Sequence, residues 1–307
     1  MSSVVERLNG VFPVLPTPLT DDEAVDFESL GTLIDRVLGA GIRGLTLLGS
    51  SAESNYMTLE ERRSVLKAAS ERVGGRATLL VGLIGFGTRA AVEEGKGLRD
   101  LGADALLVAL PQYYRTPLGE VITHYRRLLD EVRIPVLYYH YPEPTHLRLT
   151  PEQVAKLFLE VELAGIKNSS LDTSDTLAQL QAIGRPIQMF TGSSFDCLRC
   201  LNGGASGSIC PVATLMPKTA LRLVELQRAG DQTGAQELQN QFYKALPLVM
   251  PESVDEGPPV GVPHAGVKEA LFSLGLIRSA RVRDPQPAPS EARRAQIREL
   301  APSLVEL

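Results

Sequence analysis

Ile134-Pro-Val-Leu-Tyr-Tyr139, followed at once by His-Tyr-Pro142, is the stretch whose reading decides the fold. Its hydrophobicity is unbroken rather than alternating, which marks a strand buried on both faces, as in a parallel sheet wrapped by helices. Seven more short runs of this kind lie along the chain: Gly10-Val-Phe-Pro-Val-Leu15, Gly44-Leu-Thr-Leu-Leu48, Thr78-Leu-Leu-Val81, Ala105-Leu-Leu-Val-Ala109, Leu163-Ala-Gly-Ile166, Ile187-Gln-Met-Phe190 and Gly207-Ser-Ile209. Residues 27–38, 59–73, 89–101, 118–132 and 151–159 between them are each long enough for one crossover helix. Thr58-x-x-Glu61 and Thr150-Pro151 supply start signals for two of these.

Eight βα units in order predict an α/β fold of the (β/α)8 TIM-barrel type rather than an open doubly wound sheet, since no Gly-x-Gly-x-x-Gly follows the first strand. Gly203-Gly-Ala-Ser-Gly207 precedes a strand and reads as a helix stop. Beyond about residue 220 the pattern is helical only, broken by proline-rich stretches at Pro247 to Pro263 and Pro285 to Pro289. The expected organisation is a barrel with the active site over 1–225 and a C-terminal helical extension over 226–307.

Bulk properties narrow the function classes. The 307 residues carry 44% hydrophobic and 22% charged side chains, and the mean hydropathy is +0.01, as expected of a soluble globular chain with a large core. The net charge of −5 has no basic run behind it, so neither a nucleic acid nor an anionic membrane is an expected partner. The first residues hold no apolar signal segment, and no run approaches the ~18 apolar residues of a membrane span. The expected location is cytoplasmic. Cys197, Cys200 and Cys210 are too few for a disulfide framework. Cys197-Leu-Arg-Cys200 lacks a second pair or a nearby histidine for zinc, and reads as helix packing.

In such barrels the reactive groups stand at the C-terminal ends of the strands. Polar residues cluster there: Gly49-Ser-Ser-Ala-Glu-Ser54, Pro111-Gln-Tyr-Tyr114, Tyr138-Tyr-His-Tyr-Pro142, Lys167-Asn-Ser-Ser170 and Gly192-Ser-Ser194. Lys167 follows an apolar run, where desolvation disfavours the ammonium and yields a nucleophilic amine suited to Schiff-base chemistry. A strand-end lysine can also simply reach into water. Tyr139 on the neighbouring strand supplies the proton shuttle that imine formation needs, while one tyrosine of the 138–139 pair, Tyr138, is expected to pack. Gly49, Ser50 and Ser51 offer hydroxyls and turn amides for a small carboxylate, or alternatively an ordinary helix-capping loop.

Pro16-Thr-Pro18, Gly49-Ser-Ser-Ala-Glu-Ser54, Pro111-Gln-Tyr-Tyr114, Tyr139-His-Tyr-Pro142, Gly165-Ile-Lys167, Gly192 and Gly207-Ser-Ile209, in this order over nearly the whole chain, resemble the dihydrodipicolinate synthase and N-acetylneuraminate lyase family of pyruvate-dependent class I aldolases. The resemblance implies that Lys167 forms the imine with pyruvate or another 2-oxo acid, so that no cofactor is needed and no metal is implied. It implies that Tyr139 relays protons and that Ser50 links it to Tyr114 contributed by a neighbouring subunit of a homodimer or homotetramer. Ser50 and Ser51 would hold the carboxylate, with Gly49, Gly192, Ser208, Ile209, His140 and Ser169 lining the substrate site. Glu53 is assigned to loop support.

The departures bear on specificity. Pro144 stands where the synthases resemble one another in carrying an arginine for the aldehyde substrate's carboxylate, and a charge-assisted contact is lost with it. Ser194 and Phe195 replace the acidic pair of the sialic-acid lyases. The hydroxyl-rich remainder favours cleavage or dehydration of a 2-oxo-3-deoxy sugar acid or a 4-hydroxy-2-oxo acid. Three rivals are a metal-dependent aldolase using His140 and His146, a non-catalytic 2-oxo acid binding protein, and a true synthase that recruits Arg115 or Arg148.

Overall fold

In a computed structural model, described over residues 3–85, 87–110, 114–170, 172, 174–250 and 264–306, the eight apolar runs form one parallel sheet. Its strands are β1 Gly10–Val11, β2 Gly44–Leu47, β3 Thr78–Ile84, β4 Ala105–Ala109, β5 Val136–His140, β6 Gly165–Asn168, β7 Gln188–Thr191 and β8 Gly207–Ser208. They are hydrogen-bonded in the order β1-β8-β7-β6-β5-β4-β3-β2. The barrel closes through a parallel bridge between Val14 and Thr46.

Pro13 explains why the predicted first strand is split. Gly10 N and Phe12 N donate to the β8 side, at the Ser206 and Ser208 carbonyls, while Pro13 has no N–H to offer on the β2 side, where odd-numbered residues of this segment bond. From there the backbone turns to β2, with Thr46 N donating to the Pro13 carbonyl at 2.9 Å and Leu15 N to the Thr46 carbonyl at 3.0 Å. One short segment thus bonds both neighbours that a barrel must join.

The helices are α1 Val4–Arg7, α2 Phe27–Gly39, α3 Leu59–Val73, α4 Thr88–Asp100, α5 Leu118–Val132, α6 Pro142–Thr145, α7 Pro151–Glu160, α8 Ser174–Ile183, α9 Cys197–Asn202, α10 Val212–Leu215, α11 Pro217–Arg228, α12 Gln232–Val249, α13 His264–Ser273 and α14 Glu291–Leu304. The start signals read from the sequence are capping boxes. Thr58 pairs with Glu61 at the head of α3, and Thr150 with Gln153 at the head of α7. All three cysteines are buried and free. Gly203 caps the C-terminus of α9, in line with the helix stop expected there.

The junction expected between residues 225 and 226 falls inside α11. Pro247, expected to break the helical pattern, lies inside α12, which ends two residues later at Val249. The remainder of that proline-rich stretch, residues 251–263, lies outside the described residues, as do Pro111, Gln112 and Tyr113 of the tyrosine motif. No described helix is long and apolar enough to cross a membrane.

Each strand presents one face to the barrel interior and one to the helices. The interior layer includes Leu107, Leu137, Phe190 and Ile209, and α1 brings Leu8 against it. The larger core lies between strands and helices, with Ile166 and Met189 facing it. Phe12 and Phe190 meet edge to face across the interior at 5.4 Å between ring centroids.

Gly207 sits where β8 meets β1, and a Cβ there would stand 1.8 Å from the Gly10 carbonyl oxygen. Backbone cannot yield as a side chain can, so Gly207→Ala is expected to lower stability by about 3 kcal/mol or more. A thermal melt with an unchanged midpoint would show that the closure tolerates a methyl group.

Candidate active site

Strand register builds the site. Tyr139 of β5 is paired with Lys167 of β6, and Lys167 with Phe190 of β7, so all three stand on one level and point inward. Lys167 is the third residue of its strand, not the residue after it as the sequence suggested. Its Nζ donates to the Tyr139 hydroxyl at 3.2 Å and lies 4.3 Å from the centroid of the same ring. The Tyr139 hydroxyl in turn lies 3.4 Å from Ser50 Oγ.

The electrostatics follow from burial. Lys167 is 6% exposed, and with apolar side chains around its stem the loss of hydration brings the amine down to about 7. The Cys210 thiol beside it counters this only in part. Burial pushes the Tyr139 phenol up, while the Ser50 and Ser169 hydroxyls favour its ionised form. The phenol therefore stays protonated at neutral pH, yet has partners through which its proton can leave and return.

The Ser50–Ser51 turn follows β2 as a short 3-10 helix, Ser50–Ala52, with Gly49 as its N-cap. The opening amides of such a turn have no partner within it. Leu48 before the turn and Glu53 after it both adopt left-handed backbone, at φ 54° and 59°. Gly192 N donates to the Asn168 carbonyl at 2.6 Å. A Cβ on Gly192 would stand 1.9 Å from Ser169 Oγ, so glycine here leaves room for the hydroxyl that bonds Tyr139. Ile209 is fully buried in the same interior cluster as Tyr139.

Two expected lining residues stand on the other face. His140 follows Tyr139 and therefore points outward into the helix layer, fully buried. Its Nδ1 lies 3.0 Å from the Tyr138 hydroxyl and its Nε2 3.1 Å from Asp175 Oδ2 on α8. Ser208 is paired with outward-facing Thr191, and its hydroxyl favours the ionised form of the Cys197 thiol on α9. Strand alternation turns both toward the helices and away from the interior that Lys167 and Tyr139 share. Tyr114, after β4, is 78% exposed.

Sequence reasoning missed three contributors. Tyr141 stacks on Tyr139 at 5.5 Å and 23°, a position that period-two counting from Tyr139 would have found. Cys210 beside Lys167 and Asp175 behind His140 had no local signal, since both come from distant elements. Asn168 donates through Nδ2 to Gln179 Oε1 at 3.0 Å. Gln179 donates to Asp175 at 3.3 Å, so Asn168 and His140 together tie α8 to the strand ends.

The sequence model of the Dihydrodipicolinate synthetase family matches residues 7–303. A 4-hydroxy-tetrahydrodipicolinate synthase of Anaeromyxobacter dehalogenans (strain 2CP-C) is 32% identical over 297 residues, covering 96% of this chain and 97% of that protein. The synthase of Methanopyrus kandleri is 29% identical over 289 residues, covering 94% and 92%. Among solved structures, dihydrodipicolinate synthase from Aquifex aeolicus superposes with a TM-score of 0.87 at 25% identity, covering 97% of this chain and all of that one. YagE, a prophage protein from E. coli K12 solved in complex with pyruvate, shares the fold with a TM-score of 0.88 at 24% identity, covering 96% and 98%. The chain belongs to the dihydrodipicolinate synthetase family and is a lyase of the Schiff-base, class I aldolase type.

Proposed function

We propose that Lys167 forms an imine with a 2-oxo acid, and that the enzyme cleaves or dehydrates a 2-oxo-3-deoxy sugar acid or a 4-hydroxy-2-oxo acid. The observation that carries this reading is the chain Lys167 Nζ, Tyr139 hydroxyl, Ser50 Oγ, with spacings of 3.2 and 3.4 Å and an amine brought down to about 7 by burial. The free amine adds to the C2 carbonyl, and Tyr139 delivers the proton with which the carbinolamine hydroxyl leaves as water. In the cleavage case the C4 hydroxyl loses its proton to the Tyr139–Ser50 relay as the C3–C4 bond breaks. That electron pair moves into the iminium, giving an enamine and an aldehyde. Protonation at C3 and hydrolysis of the imine then release pyruvate and the lysine. YagE's complex with pyruvate supports the assignment of the oxo acid.

Ser50 and Ser51 would hold the substrate carboxylate. The exposure of Tyr114 supports a homodimer or homotetramer in which a second copy's phenol completes the relay through Ser50. Residues 226–307 are proposed to serve as a supporting extension of the barrel.

A second reading, condensation of pyruvate with aspartate semialdehyde, is favoured by the activity for which the relatives are named. Arg148, paired with Glu143 at 3.1 Å, would then supply the cation that Pro144 lacks. The two readings separate in one assay pair. Release of pyruvate from a 2-oxo-3-deoxy sugar acid, with no consumption of aspartate semialdehyde, is the expected outcome. Consumption of pyruvate and aspartate semialdehyde together, with the sugar acids inert, would replace the first reading by the second.

A further inference from the structure

Glu53 stands two residues beyond Ser51, its side chain 1% exposed, and the groups that meet it come from more than two hundred residues away. Lys268 of α13, whose side chain is fully buried, forms an ion pair with Glu53 Oε1. The Arg283 amide donates to Glu53 Oε2 at 2.6 Å. Lys268 Nζ also donates to the Arg281 carbonyl at 2.8 Å, so the lysine joins the C-terminal segment to the loop from both ends. His264 Nε2 lies 3.9 Å from the same carboxylate, and burial holds this imidazole down at about 4. It is therefore neutral, and the cation that meets the carboxylate is Lys268, whose amine pKa burial lowers while Glu53 raises it.

A buried ion pair is a poor device for stability alone, because the cost of removing both charges from water offsets their attraction, and two apolar side chains would serve as well. What it provides is direction: the carboxylate can be satisfied in one place only. The turn it holds needs that. Leu48 and Glu53 both sit in left-handed backbone, a conformation that persists only where the surroundings over-determine it, and between them lie Ser50 and Ser51.

We propose that Lys268, acting through Glu53, is a positioning residue that holds the Ser50–Ser51 turn in the conformation receiving the substrate carboxylate. The inference rests on the reading that this turn binds the carboxylate. Other ion pairs of the same C-terminal segment, such as Arg278 with Asp26 at the loop after β1, fasten the extension without touching the turn.

The test is borohydride trapping of pyruvate on Lys167 as a function of pyruvate concentration, with thermal melts in parallel. Lys268→Met is expected to raise the half-saturating pyruvate concentration about tenfold or more while the trapping rate at saturation changes little. Arg278→Met, which also cuts an ion pair of the extension, is expected to lower the melting temperature and leave half-saturation as it is. If Lys268→Met does not fold, Glu53→Gln/Lys268→Met leaves no unpaired charge and is read in the same way. An unshifted half-saturation in the folded variant overturns the proposal. Ser51→Ala separates the two ideas. Should it raise half-saturation while the Lys268 variants do not, only the positioning role falls; should it leave half-saturation unchanged, the carboxylate reading itself falls.

Discussion

Lys167→Ala is expected to yield a folded protein with no turnover and no borohydride-stable adduct. The substitution removes the amine and three methylenes of its stem from the interior; the packing lost with the methylenes is offset by relief from burying an amine, and no ion pair among the described residues depends on it, so the melt should move by no more than a few degrees. Its chemical loss is complete. A lysine in water, with a pKa of about 10.4, is neutral in roughly one molecule in two or three thousand at pH 7. At the value of about 7 that burial imposes, close to half the amines are free. The site therefore gains about a thousandfold in available nucleophile before any orientation effect.

The sign of the pH dependence follows. Below about 7 the buried amine takes up its proton, and the trapping rate of the wild-type protein should fall about tenfold per pH unit; above it the rate should level off. Folding is linked to the same proton. Between about 7 and 10.4 the unfolded chain holds a proton that the folded one does not, so stability rises with pH across that window. Lys167→Ala should lack this increment. Mass spectrometry after reduction with pyruvate, mapped to the peptide containing residue 167, reads the first result directly. Turnover or an adduct in Lys167→Ala would move the chemistry to another group.

Tyr139→Phe is the second large effect, a loss of roughly 10²–10⁴ in kcat as expected for a missing proton transfer. The substitution is a narrow one. The ring that stacks on Tyr141 at 5.5 Å and lies 4.3 Å from the lysine amine is retained, and only the hydroxyl between Lys167 and Ser50 is lost. The adduct should still form on Lys167, but slowly. A kcat equal to wild type would remove the phenol from the mechanism, and Ser50 with it.

Much of this was legible in the chain. Each of the eight strands overlaps one of the predicted apolar runs, because a strand covered on both faces is mostly apolar until it nears the mouth of the barrel. The helices over 59–73 and 118–132 match their predicted limits, since apolar periodicity and termini speak for themselves. Lys167, Tyr139 and Ser50, which the fold brings into one hydrogen-bonded chain, could be singled out from sequence because the end of an apolar strand is where barrel chemistry sits. His140 and Ser208, expected to line the substrate site, face the helices instead of the barrel interior, since the same period of two that orients Tyr139 inward turns its neighbour outward. The rule was available but was applied to strand ends as groups rather than residue by residue.

Local sequence thus determined the eight-unit barrel, the strand ends that carry its polar groups and the family to which the chain belongs, because burial on two faces and helical periodicity are written in neighbouring residues. Tertiary structure alone decided the rest. The Lys167–Tyr139 spacing depends on the register of two separate strands, the acidity of the amine on what surrounds it, and the hold of Lys268 and Arg283 on Glu53 on a return of the chain across more than two hundred residues. Desolvation and ion pairing act through space, and no window of sequence contains both partners.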